Sequence, residues 1–76
     1  MIEFLETDKG FNAWIFTDMF DAQCSIQESD PAEEMGELIW LGNSGGRMLL
    51  SKENVVDLIP LLQCFVETGR LPDWDK

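Results

Sequence analysis

Seventy-six residues leave room for one domain, 1–76, and a chain this short buries only about 60–65% of the surface it exposes when unfolded. An apolar content of 45% with 11% aromatics is the composition of a folded chain rather than a disordered one. Fifteen acids against five basic residues give a net charge of −10, which disfavours direct binding to phosphate backbones or anionic membranes and favours basic partners.

In chain order, Ile2 to Glu6 reads as a short strand and Asp8-Lys9-Gly10 as a turn. Ala13 to Thr17 is rich in β-formers and predicts a strand. Asp18 to Asp21 carries turn chemistry, with Asp21 where a left-handed residue is wanted. Gln23 to Ser29 alternates polar and apolar residues, the pattern of a half-buried strand, so 13–29 forms a hairpin. Glu28 to Glu37 is an acidic loop carrying Pro31, and Leu38 to Leu41 is another strand. Gly42 to Gly46 is a turn by composition, and Arg47 to Leu50 a further strand. Ser51 caps a helix over 51–68, whose apolar stripe runs through Val55, Leu58, Ile59, Leu62, Phe65 and Val66. Gly69 is placed for its left-handed C-terminal cap, and Pro60 predicts a kink rather than a break. The expected fold is α+β: an antiparallel three- to four-stranded meander with one C-terminal helix packed on one face.

A hairpin turn over 18–21 sets Thr17 opposite Ala22, Phe16 opposite Gln23, Ile15 opposite Cys24 and Trp14 opposite Ser25. Ala13, Ile15, Cys24 and Ile26 then lie under the helix, with Met48 and Leu50. Trp14, Phe16, Gln23, Ser25 and Gln27 face outward, with Arg47 and Leu49, while Trp40 fits either side. Trp14, Phe16, Ser25, Gln27, Arg47 and Leu49 are therefore the candidate partner-binding residues. The competing reading is that the N-terminal segment, through Phe4 or Phe11, folds over the aromatics as a second small cluster. A second copy of the chain is another occupant that suits an outward aromatic face, making a homodimer an expectation.

The charge is lopsided. Residues 1–37 carry ten acids against Lys9, whereas 38–76 carry five acids against four basic residues. Asp18, Asp21, Glu28, Asp30, Glu33, Glu34 and Glu37 form a candidate acidic interaction surface, whose bland reading is solubility alone. No catalytic centre is expected. Without histidine there is no Ser–His or Cys–His pair, and two cysteines cannot complete a four-ligand zinc site. The Glu33, Glu34 and Glu37 set lacks the order of a calcium loop, and Gly42 to Arg47 runs from strand to strand rather than into a helix as a phosphate loop would. No cofactor and no metal are expected. The acidic start and the lack of a long apolar run predict a cytoplasmic protein, with Cys24 and Cys64 reduced.

Phe16-Thr17-Asp18, Cys24-Ser25-Ile26-Gln27 with Ser29, Ile39-Trp40-Leu41-Gly42, Arg47-Met48 with Leu50, and Val56, Pro60, Phe65-Val66, Thr68-Gly69 and Leu71 together resemble a family of short hypothetical proteins encoded by tailed bacteriophages and prophages. The resemblance spans about three quarters of the chain. Relatives tend to carry Gly where this chain has Asp21 and a polar residue where it has Leu49. The resemblance implies a phage accessory setting, not a mechanism. The leading expectation is a non-catalytic protein that binds, and inhibits, a host or phage protein, with anti-defence action and acidic nucleic-acid mimicry as its sharper forms. The alternatives are a small-ligand binder that sequesters a signal molecule and a minor virion or assembly component.

Overall fold

The computed structural model describes residues 2–30 and 35–73. Strands β1 (Ile2–Glu6), β2 (Asn12–Thr17), β3 (Gln23–Glu28) and β4 (Ile39–Gly42) form one antiparallel sheet in the order β1-β2-β3-β4. Helix α1 (Lys52–Thr68) follows and packs across one face, so the α+β meander with a single C-terminal helix is the fold.

The hairpin register is one residue away from expectation. Phe16 pairs with Cys24, Trp14 with Ile26 and Ile15 with Ser25. The turn is shorter than the sequence suggested. Asp18 N donates to Ala22 O at 3.1 Å and Asp21 N donates to Asp18 O at 3.0 Å, which leaves a three-residue loop, 19–21. Asp21 takes the left-handed conformation expected of it, with φ 63°. This is the three-residue hairpin form, a turn followed by a left-handed residue. Because side chains alternate, a slip of one exchanges the two faces. Trp14 and Phe16 therefore lie under the helix with Cys24 and Ile26, and Ala13 and Ile15 lie on the open face with Ser25 and Gln27.

The core unites Trp14, Phe16, Cys24 and Ile26 with Leu58 and Leu61 of α1 and with Leu71 beyond it. Phe4 meets Trp14 edge-on, ring centroids 5.3 Å apart, so β1 contributes to this core rather than to a separate cluster. Met48 and Leu50 pack inward as expected. Arg47 to Leu50 is not a strand: Leu49 N donates to Asp18 Oδ2 at 3.0 Å and Leu49 O accepts from Met19 N at 2.9 Å, which carries the segment past the hairpin turn instead of along β4.

Ser51 caps α1. Asn54 N donates to Ser51 Oγ and Ser51 N donates to Asn54 Oδ1, both at 3.0 Å, a reciprocal box closed by an amide. Asn54 Nδ2 also donates to Thr17 O at 3.1 Å, which ties the helix start to the end of β2. Gly69 ends the helix with φ 79°, its N donating to Phe65 O. The helix continues unbroken through Pro60, whose ring faces solvent. Its buried side is turned from the expected stripe. Asn54, Leu58 and Leu61 are buried, Leu62 and Phe65 half-buried, while Val55, Ile59 and Val66 are exposed. The box at Asn54 orients that residue inward, and the rest of the stripe follows from it at intervals of three and four.

Candidate functional site

Two of the acids that the charge pattern assigned to an interaction surface hold the fold together instead. Asp18 Oδ2 accepts from Leu49 N, and its Oδ1 accepts from Phe20 N at 2.9 Å and Ala22 N at 3.1 Å. Those amide bonds, Leu49 first, hold the Asp18 carboxyl below its ordinary 3.8 although burial opposes them. Glu28 Oε1 accepts from Asn12 N at 2.9 Å and Arg70 Nη2 at 3.0 Å, while Oε2 accepts from Arg70 Nε and Leu71 N, both at 2.8 Å. Burial is the largest single influence on Glu28 and would raise it. The Arg70 bonds, the Asn12 and Leu71 amides and the Arg70 charge outweigh it and hold the carboxyl below 4.5. Asp21, Asp30 and Glu37 are exposed, and Glu33 and Glu34 lie outside the described residues.

Both depressed carboxylates have a consequence in acid. The unfolded chain takes up protons near pH 4, where the folded chain still holds these two groups ionised, so their stabilisation is present above about pH 4.5 and lost as pH falls through the folded values. Protonation of the exposed acids works the other way, because it relieves self-repulsion in a −10 chain. The comparison is therefore with Glu28→Gln. Between pH 5 and pH 3 the wild type should lose more of its melting temperature than this variant does. Parallel curves would show that Glu28 is not held ionised.

The partner-binding set is divided. Trp14 and Phe16 are core residues, because the shorter turn places them under the helix. Arg47 and Leu49 are exposed but stand on the segment that passes the hairpin turn, away from the sheet face. Ser25 and Gln27 do face outward, and Gln27 Nε2 donates to Ser25 Oγ at 2.9 Å.

Around them the open face forms a groove of about 710 Å³. Ala13, Ile15, Ser25, Gln27 and Gly42 are its floor. Leu5 and Thr7 stand on the β1 side, with Trp40, Asn43 and Ser44 opposite. Ala13, Ser25 and Gly42 keep the floor low between Leu5 on one side and Trp40 on the other. Trp40 pairs across β3–β4 with Gln27 and is 67% exposed. None of the lining residues is charged, in a chain with one charged residue in four. The groove offers one indole face and several amides and hydroxyls. An aromatic face beside amides and hydroxyls in a concave site is a lining suited to binding.

Leu5, Ala13, Ile15, Trp40, Asn43 and Ser44 did not stand out in the sequence as site residues. The signal that could have found them was area. A register that buries Trp14 and Phe16 against Cys24 and Ile26 removes far more apolar surface from water than one that buries Ala13 and Ile15. No helix among the described residues is long and apolar enough to cross a membrane. Comparison with family models, with curated proteins and with solved structures gives no match for this chain.

Proposed function

We propose that this chain is a non-catalytic binding protein that takes a basic protein partner in the open-face groove, with Trp40 as the anchor. The observation that carries the reading is a two-thirds-exposed tryptophan on the wall of an uncharged groove, in a protein of net charge −10. The field draws in a basic surface and the indole face receives an arginine or lysine head by cation–π contact. The amide and hydroxyl oxygens of Gln23, Gln27, Asn43 and Ser25 are there to accept its N–H groups. The phage resemblance supplies a setting for such a protein, the host cytoplasm, where occupying a partner's basic surface would inhibit it.

An arginine-rich peptide is the direct probe. Calorimetry should show binding that weakens as salt rises, with Trp40→Ala reducing affinity at least about tenfold and a glutamate-rich peptide showing none. Equal affinity for wild type and Trp40→Ala would remove the groove from the account. A second reading rests on size, since about 710 Å³ lies within the range of small-molecule sites. A neutral metabolite that raises the melting temperature of the wild type but not of Trp40→Ala would favour it.

A further inference from the structure

Sheets have edges, and the two edges here differ. The β1 edge carries Glu3 and Glu6, which discourage another strand from pairing there. The β4 edge reads Ile39-Trp40-Leu41-Gly42, with no charge, no proline and no bulge, and among the described residues only β3 pairs with it. Trp40 is 67% and Leu41 42% exposed. This edge lacks each of those protections.

The hydrogen-bond phase of β4 is set by Ser29 N, which donates to Leu38 O at 3.1 Å. In an antiparallel ladder hydrogen-bonded pairs alternate, so Gln27–Trp40 is a bonded pair and the N–H and C=O of Ile39 and Leu41 point away from β3. A second β4 laid antiparallel about a two-fold axis through Trp40 sets Ile39 of one copy opposite Leu41 of the other. The outward groups of both residues then exchange hydrogen bonds, and the two Trp40 residues form the non-bonded pair between them, where side chains stand closest. The edge is thus complementary to itself. Two −10 chains can meet here without setting acid against acid along the strand, since neither β4 nor the groove beside it carries charge.

We infer that β4 is a self-pairing edge: two copies join through Ile39–Leu41 into one eight-stranded antiparallel sheet, with both helices on the same side and the two grooves running together at the paired Trp40 rings. This assembly does not depend on the basic-partner reading, and salt separates the two. Capture of a basic probe weakens with salt, whereas pairing of like-charged copies tightens as repulsion is screened.

Sedimentation equilibrium from about 0.02 to about 0.5 M NaCl should show a monomer–dimer equilibrium that moves toward dimer with salt. Leu41→Pro removes an outward N–H without taking a bond from the β3 ladder, and should weaken the dimer at least about tenfold. Gln27→Ala, in the groove floor, should leave it unchanged. Amide exchange on the wild type gives an answer even if the proline variant unfolds: the N–H groups of Ile39 and Leu41 should gain protection with protein concentration, while Phe4 on the opposite edge should not. A monomer at every concentration and salt overturns the inference. So does a dimer whose Ile39 and Leu41 amides exchange at the monomer's rate.

Discussion

Trp14→Ala should cost about 3–5 kcal/mol, the range for emptying a buried aromatic site. Trp14 is 7% exposed, meets Phe4 edge-on at 5.3 Å and donates its indole N–H to Pro72 O at 2.9 Å. Truncation removes the ring from the centre of the core and leaves the Pro72 carbonyl without that donor. A domain of this size has about 4–11 kcal/mol of total stability, so the variant should be near its unfolding threshold under mild conditions. Its melting temperature should fall by at least about 12 °C. Trp40→Ala, by contrast, removes a ring that mostly faces water and should change stability by less than about 1 kcal/mol. Urea titrations followed by far-ultraviolet circular dichroism give both values. Equal losses for the two variants would mean that the faces have been assigned to the wrong sides.

Glu28→Ala should cost about 3 kcal/mol, and Arg70→Ala clearly less. The Glu28 side chain is 5% exposed and that of Arg70 59%. Removing the carboxylate strands the Asn12 and Leu71 amides as well as the guanidinium, and the Leu71 bond is buried. Removing the arginine leaves the carboxylate with both of its amide donors, and water replaces a partner that was already half solvated. The asymmetry follows from which group is deprived of what: an unmade buried hydrogen bond is costly, whereas an exposed ion pair contributes little. Denaturation of the two single variants and the double variant measures it, and the double should cost little more than Glu28→Ala alone. Equal losses for the two single variants would show that the ion pair, not the pair of amides, is what Glu28 supplies.

The elements themselves were legible because each has a local cause. Alternation marked β3, the Ser51 cap and Gly69 bounded the helix, and Asp21 was rightly placed in a left-handed position. Which way each element faces was not legible, since facing depends on one residue of turn length or on a single cap side chain. Asp18 closes its turn one residue early, and that exchanged Trp14 with Ile15. Asn54, a polar residue with no place in an apolar stripe, sits on the buried side of α1 because it serves Ser51 and Thr17 at once. Of the candidate site, Ser25 and Gln27 were found because β3 states its own polar face; Trp40 was left undecided because four apolar residues in a row carry no alternation. Glu28 and Asp18 look like any other acids in an acidic stretch, and only their distant partners at Leu49, Arg70 and Leu71 distinguish them.

The contacts that close the core over β2 come from far along the chain: Asn12 Nδ2 reaches Leu71 O across 59 residues, and Trp14 Nε1 reaches Pro72 O across 58. During synthesis this has a cost in time. The β2–β3 hairpin can form once Glu28 has left the ribosome, but Trp14 lacks the Pro72 carbonyl and Glu28 the Leu71 amide until residues 71 and 72 have followed. At about 5–20 residues per second that interval lasts a few seconds, during which Trp14 and Glu28 stand on a nascent sheet without their C-terminal partners. Over that interval the ten acids against one lysine in residues 1–37 give neighbouring nascent copies like charge, which opposes their association.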